Sequence, residues 1–163
     1  MASIAHFSPA RAVTDGETVL ASIDIPASPR QLFDALTTEE LERWWGSPST
    51  YCMRQWRADL RVGGEWHVNV CLPDGASRPA DGKFLAIDAP HSVTLTRRYN
   101  WDHPAMGRAI TRVTYRFNPA GNATRVTVRH DGFNTPAAAE EHAAGWERVL
   151  EWLREHFAAV APS

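Results

Sequence analysis

The chain has 163 residues, of which 44% are hydrophobic and 22% charged, so it can bury the core of one ordinary globular domain. Its formal net charge is −2 and it has no run of like charges, which argues against a nucleic-acid-binding surface. No window approaches the ~20 apolar residues of a membrane span. The two cysteines form neither a CxxC motif nor a disulfide framework, and a cytoplasmic protein is expected.

The N-terminal part of the chain changes character near residue 18. Residues 1–17 show no sustained periodicity and are expected to form an arm, whereas residues 18–163 are expected to form a single domain. Apolar and polar residues alternate between positions 19 and 25, which predicts a half-buried strand. Two short helices are predicted next, one beginning at Pro29 and the other following Thr38.

The middle of the chain is a series of strands separated by turn residues. Each strand shows the period-2 alternation of a sheet with one buried face. Because short turns join successive strands, an antiparallel meander is expected. The predicted strands cover residues 53–59, 66–70, 83–87, 93–99, 113–117 and 126–130.

The last segment predicts a long amphipathic helix from Pro136 to about Val160, with apolar residues at helical spacing and charged residues opposite. This order of elements predicts an α+β fold, in which a curved antiparallel sheet grips the C-terminal helix and two short helices follow the first strand. A twisted sheet and a straight helix seldom pack closely along their whole length, so an apolar cavity is expected between them.

Short motifs in a fixed order carry a resemblance that covers about residues 18–160. The chain resembles the START-like (SRPBCC) superfamily, and within it the branch named after the C-terminal domain of the Hsp90 ATPase activator. The resemblance implies a helix-grip fold with an internal hydrophobic cavity. It implies function poorly, because that fold hosts lipid carriers, cyclases, hormone receptors and co-chaperone modules. The motifs are Pro26-Ala27-Ser28-Pro29, Leu32-Phe33-Asp34-Ala35-Leu36, Leu41 with Trp44-Trp45, the segment from Asp59 to Trp66, Gly82, Pro90, the segment from Thr124 to Val128, His130, Gly132, His142 and Gly145-Trp146.

The inward strand faces and the inner stripe of the last helix supply the candidate ligand-binding residues. Where relatives are expected to carry bulky apolar residues, this chain has Arg97, which shares a strand face with Leu95 and Tyr99. A buried guanidinium needs an internal acid, water at the cavity mouth or an anionic ligand, and Arg97 is predicted to anchor an acidic oxygen of a ligand. The full candidate set is Trp66, Val68, Leu95, Arg97, Tyr99, Tyr115, Phe117, Val128, His130, His142 and Trp146.

Two of these assignments have an alternative. A bulge near Tyr99 would turn Arg97 outward to solvent. His130 would support an acidic ligand group together with Tyr99, or would be a core histidine that hydrogen-bonds a neighbour.

The leading hypothesis for function is binding of a small apolar or amphipathic molecule, without catalysis. HExxH, GxSxG, Walker and GxGxxG motifs are absent, so no metal or cofactor is expected. One alternative is an enzyme of the polyketide-cyclase kind that uses Arg97, Tyr99 and His130 in acid–base roles. Another is a chaperone-regulating interaction module, which is weakened because the chain has no room for the activator's second domain. The sequence leaves a homodimer open.

Overall fold

A computed structural model describes residues 7–160, which form one open sheet, two short helices and a long helix. The expected α+β helix-grip architecture is confirmed. In chain order the elements are β1 (Arg11–Asp15), β2 (Thr18–Ile25), α1 (Pro29–Thr37), α2 (Leu41–Trp44), β3 (Cys52–Ala58), β4 (Glu65–Cys71), β5 (Ser77–Asp88), β6 (Ser92–Tyr99), β7 (Ile110–Ala120), β8 (Ala123–Asp131) and α3 (Pro136–Val160).

The eight strands are antiparallel and lie in the order β1-β2-β8-β7-β6-β5-β4-β3. The first two strands therefore pair with the last one, while β3 to β8 form the predicted meander. Helix α3 packs on β1 and β2 at one end of the sheet. Its opposite side consequently faces β3, β4 and β6 across a gap, and this gap positions the candidate site.

The segment assigned to an N-terminal arm contains an ordered edge strand. Strand β1 pairs with β2, and Ala10 and Ala12 donate backbone hydrogen bonds to the carboxylates of Glu151 and Glu147 on α3. Residues 1–6 lie outside the described part of the chain. Within residues 7–160, no helix has the length and apolar character needed to cross a lipid bilayer.

Local chemistry explains the start of α1. The Ser28 hydroxyl accepts a hydrogen bond from the Gln31 backbone N–H (3.2 Å), and the Gln31 side chain accepts one from the Ser28 N–H (2.9 Å). Together they form a capping box ahead of the buried face of Leu32, Phe33 and Leu36. The second helix is shorter than predicted, because it begins at Leu41 rather than after Thr38.

Two strands are longer than predicted. Strand β5 begins at Ser77 and runs through Asp81-Gly82, ahead of the predicted strand at residues 83–87. Gly82 is there for a packing reason: the Trp66 indole crosses it to donate a hydrogen bond to the Thr96 carbonyl (2.9 Å), which leaves no room for a Cβ. Strand β7 likewise continues through residues 118–120.

Candidate functional site

The main cleft has a volume of about 440 Å³ and lies between α3, strands β3, β4 and β6, and the segment after β6. Its aromatic side chains come from α3, β6, the segment after β6, and the segment between α2 and β3. Two depressions of about 570 and 800 Å³ lie on the outer face of the sheet, but exposed charged and polar side chains form most of their lining. The residues that line the main cleft are Trp45, Tyr51, Met53, Val70, Arg97, Tyr99, Trp101, His103, Glu141, His142, Ala144, Gly145, Trp146, Arg148 and Val149.

Arg97 is the main cationic group in the deep part of this cleft. Its guanidinium carbon lies 5.7 Å from the Trp45 ring centroid, 5.5 Å from that of Tyr99 and 6.0 Å from that of Trp146. Among residues 7–160, no carboxylate lies within ion-pair distance of Arg97, and no side chain or carbonyl hydrogen-bonds its guanidinium. The side chain is half-buried, so its polar edge remains open to the cleft.

The charge on Arg97 persists at any working pH. Burial acts to lower the pKa of this guanidinium, but three neighbouring tyrosines, led by Tyr99, outweigh burial and raise the pKa above its ordinary value. Its neighbour Arg98 has the opposite environment. The Arg98 side chain points to the outer face of the sheet and makes two hydrogen bonds with the Asp81 carboxylate, at 3.1 and 3.2 Å. Arg98 therefore provides a natural internal comparison for Arg97.

A chain of hydrogen bonds fixes the position of Arg97 from behind. The Trp146 indole N–H donates to His130 Nδ1 (3.0 Å), so the proton of the neutral imidazole is on Nε2. His130 Nε2 then donates to the Thr111 hydroxyl (2.7 Å), which donates to the backbone carbonyl of Arg97 (3.2 Å). Burial holds the pKa of His130 well below its ordinary value, so the imidazole is neutral. The network joins α3, β8, β7 and β6.

A second histidine bonds directly to a residue of the cleft wall. His142 Nδ1 lies 2.8 Å from the Ala138 carbonyl, and a carbonyl can only accept, so Nδ1 carries the proton. The other nitrogen, Nε2, lies 2.9 Å from the Tyr99 hydroxyl and accepts its proton. Burial lowers the pKa of His142 to about 4, which keeps this arrangement neutral at physiological pH.

The inner face of β6 continues beyond the end of the strand. Tyr99, Trp101 and His103 follow Arg97 at intervals of two residues, and the Tyr99 and His103 rings stack with centroids 4.3 Å apart. Trp101 also packs against the Arg78 guanidinium (5.0 Å), and its indole nitrogen has no hydrogen-bond partner among residues 7–160. This aromatic run forms one wall of the cleft.

A small inner pocket of about 30 Å³ lies beside the main cleft. Trp45, Met53 and Arg97 line both spaces and therefore form the partition between them. The rest of the inner lining is mainly apolar and includes Trp66, Val68, Leu95 and Tyr115.

The structure distributes the predicted site residues over three locations. Arg97, Tyr99, His142 and Trp146 come together in the main cleft. Phe117, Val128 and His130 are buried in the core, and none of them lines the cleft or the inner pocket. The remaining four line the inner pocket, and they are Trp66, Val68, Leu95 and Tyr115.

Several cleft residues escaped the sequence analysis. Trp101 and His103 could have been found, because they extend the period-2 face of β6 into the loop. Tyr51 lies in a loop before β3, and no periodic signal marks it. The described residues contain no group of three or more histidine, cysteine or acidic side chains placed to hold a metal ion.

Comparison with known proteins identifies the family. Residues 26–158 match the family model described as "Activator of Hsp90 ATPase homolog 1-like protein". The chain belongs to this family. No curated protein matches the sequence.

Solved structures of similar fold come from several bacteria. A protein from Rhodobacter sphaeroides is 22% identical with a TM-score of 0.78, and the match covers 93% of this chain and 99% of that protein. A protein from Chromobacterium violaceum is 19% identical with a TM-score of 0.75, covering 90% and 99%. The AHSA1 protein from Silicibacter pomeroyi is 22% identical with a TM-score of 0.74, covering 88% and 99%. At these identities the likeness shows the shared fold.

Proposed function

We propose that this protein binds a small amphipathic organic acid in the main cleft, with the acid group on Arg97 and the apolar body against the aromatic walls. The observation that carries this proposal is the Arg97 guanidinium, which is charged, half-buried and without an anionic partner among residues 7–160. Three aromatic rings offset part of the cost of removing it from water, since each such contact contributes about 0.5–2 kcal/mol. A carboxylate would supply the missing charged hydrogen bonds.

The size and lining of the cleft support a ligand with a flat apolar body. Its volume of about 440 Å³ falls within the roughly 300–1,000 Å³ of small-molecule sites. Aromatic rings line it on several sides, including Trp45, Tyr99, Trp101 and Trp146. Flat aromatic or conjugated molecules pack favourably against such rings.

The same cleft favours binding over acid–base catalysis of the polyketide-cyclase kind. The titratable groups of the cleft are Tyr99, His103, Glu141 and His142, and among them Tyr99 and His142 share a hydrogen bond. Burial raises the pKa of Tyr99 above its usual 10.0 and lowers that of His142 to about 4. Both shifts oppose moving the Tyr99 proton to His142, because each favours the neutral form of its group. The pair supports an oriented hydrogen bond rather than a proton relay.

Matched ligands and matched variants test the proposal. Titration of 2-naphthoate and of the neutral 2-naphthamide into wild type, Arg97→Met and Arg98→Met can be followed by tryptophan fluorescence, because Trp45 and Trp146 line the cleft. A hydrogen bond to a charged group contributes about 1.5–3 kcal/mol, so Arg97→Met should weaken naphthoate binding roughly tenfold or more. Binding of the amide should change little.

The control variant keeps the test specific. Arg98→Met removes the same charge from the next residue on the outer face, and it should leave naphthoate affinity within about twofold of wild type. Equal losses for acid and amide in Arg97→Met would show that Arg97 has a structural role. Native mass spectrometry of freshly purified protein offers an independent view, since a retained small acid would add its mass to the chain.

A further inference from the structure

The hydrogen-bond directions around Tyr99 define which substituents the cleft accepts next to Arg97. The Ala138 carbonyl takes the Nδ1 proton of His142, and His142 Nε2 takes the proton of the Tyr99 hydroxyl. The phenolic hydroxyl has a single proton, so the Tyr99 oxygen has no proton left to donate. Tyr99 lines the cleft, so its oxygen can offer a ligand there only lone pairs.

No described group satisfies those lone pairs. Among residues 7–160, no side chain or backbone group donates a hydrogen bond to the Tyr99 oxygen. Its ring faces Arg97, whose guanidinium carbon is 5.5 Å from the ring centroid, but the guanidinium makes no hydrogen bond to the hydroxyl. Tyr99 is largely enclosed by its stacking on His103 and its contacts with Trp101 and His142.

Tyr51, which also lines the cleft, has a hydroxyl that can donate rather than only accept a hydrogen bond. The Tyr51 hydroxyl accepts a hydrogen bond from the Trp45 indole N–H (3.2 Å), so its own proton remains available. Among the lining side chains, Arg97 and Tyr51 are donors and Tyr99 is an acceptor, and the exposed Arg148 and Glu141 add a further donor and a further acceptor. Such a pattern can distinguish a ligand hydroxyl from its methyl ether, because the ether has no proton to give.

We propose that the ligand is an aromatic or conjugated acid with a proton-donating substituent, a hydroxyl or N–H, that binds the Tyr99 oxygen while the acid group binds Arg97. This inference rests on the proposed function, since it requires an acid on Arg97. His142 acts as a positioning residue, because it consumes the Tyr99 proton and so fixes the polarity of Tyr99 without touching the ligand substituent.

The test compares hydroxyl positions on one scaffold. A panel of 2-naphthoates hydroxylated at the 5, 6, 7 or 8 position is titrated into the wild-type protein, each beside its methyl ether and beside unsubstituted 2-naphthoate. At one position or more, the hydroxyl compound should bind roughly threefold to tenfold more tightly than both references, the effect of one neutral hydrogen bond. If every hydroxyl compound binds no more tightly than its ether, the inference is overturned.

Two variants show whether Tyr99 and His142 cause the preference. Tyr99→Phe keeps the ring and should abolish the preference for the hydroxyl compound. His142→Phe removes the acceptor of the Tyr99 proton, so the Tyr99 hydroxyl can donate to a ligand. The affinity for the methyl ether should then rise relative to the affinity for the hydroxyl compound. A preference that persists unchanged in Tyr99→Phe would assign it to another group and overturn the inference.

The outcomes separate this inference from the proposed function. If unsubstituted 2-naphthoate loses no affinity in Arg97→Met, the proposed function fails, whatever the panel shows. If naphthoate depends on Arg97 but no hydroxyl position is preferred, the acid site stands and the assignment of Tyr99 is wrong. The absence of any preference in the wild-type panel overturns the inference by itself, whatever the folding of either variant, whereas Tyr99→Phe assigns a preference that is found to Tyr99.

Discussion

His142 predicts a loss of stability in mild acid. Burial lowers the pKa of His142 in the folded protein from an ordinary 6.5 to about 4. Between those two values the unfolded chain binds a proton that the folded chain does not, so acid favours unfolding. The contribution of this group is fully present above about pH 6.5 and is lost as the pH falls toward 4. His130 acts in the same direction, since burial also lowers its pKa.

The size of the effect follows from the two pKa values. With 6.5 in the unfolded state and about 4 in the folded state, lowering the pH from 7 to 5 costs about 2 kcal/mol through His142 alone. Urea titrations at pH 7 and pH 5 measure the difference in unfolding free energy. The wild type should lose at least this amount, whereas His142→Gln should lose about 2 kcal/mol less.

The control for this experiment is His67, which is exposed on β4. His67→Gln should keep the full pH dependence of the wild type. If His142→Gln and wild type lose the same stability between pH 7 and pH 5, within about 0.5 kcal/mol, then His142 is not held neutral by burial. That result would also remove the basis for fixing the proton of Tyr99.

Four further substitutions test the packing of the fold and the environment of Arg97. Trp146→Ala removes a core side chain that is 3% exposed and should cost roughly 3–5 kcal/mol in denaturant titration; a loss below about 1 kcal/mol would contradict the packing of α3 on the sheet. Gly82→Ala would place a Cβ against the Thr96 carbonyl and should lower the unfolding free energy by about 3 kcal/mol. Gly145→Ala, in an open helical position, should raise the unfolding free energy by about 0.5–1 kcal/mol. Similar effects at both glycines would refute the close contact between Gly82 and the Thr96 carbonyl. Arg97→Met should raise the unfolding free energy by about 1 kcal/mol or more, because an unpaired guanidinium leaves the interior, and a clear loss would show an unrecognised stabilising partner.

The periodicity of apolar residues in the sequence was sufficient to predict the fold and to predict which residues lie on the inward face of β6. Alternation placed Leu95, Arg97 and Tyr99 on one face, and helical spacing placed His142 and Trp146 on the inner side of α3. These two patterns are local, so each can be read within a few residues. The outward alternative for Arg97 required a bulge near Tyr99, but β6 pairs with β7 in continuous register from Ser92 to Arg98.

Pairings between distant residues could not be read in the same way. Tyr99 and His142 are 43 residues apart, and nothing in either local pattern indicates that they share a hydrogen bond. His130 faces inward as predicted, yet it lies in the core, where Trp146 and Thr111 satisfy both ring nitrogens. A period-2 pattern shows which side of the sheet a residue faces. Whether an inward-facing residue lines the cleft or lies in the core depends on where α3 crosses the sheet. That position is a property of the tertiary structure and cannot be read from a local pattern.

The arrangement around Arg97 separates the residue that would contact the ligand from the residues that hold it. Thr111 binds its backbone carbonyl, His130 binds Thr111, and Trp146 links this chain to the helix that forms the opposite wall. All three hydrogen bonds are made without using the guanidinium. These hydrogen bonds position the backbone of Arg97, and the rings of Trp45, Tyr99 and Trp146 limit the positions of its guanidinium, which lowers the ordering cost when an anion binds. The free protein instead bears the energetic cost of partly burying the Arg97 guanidinium. That group contacts three aromatic rings but has no anionic partner among the described residues of the cleft. For fold stability alone an uncharged side chain would be more favourable at this position, and this is the physical reason for proposing that Arg97 binds a ligand.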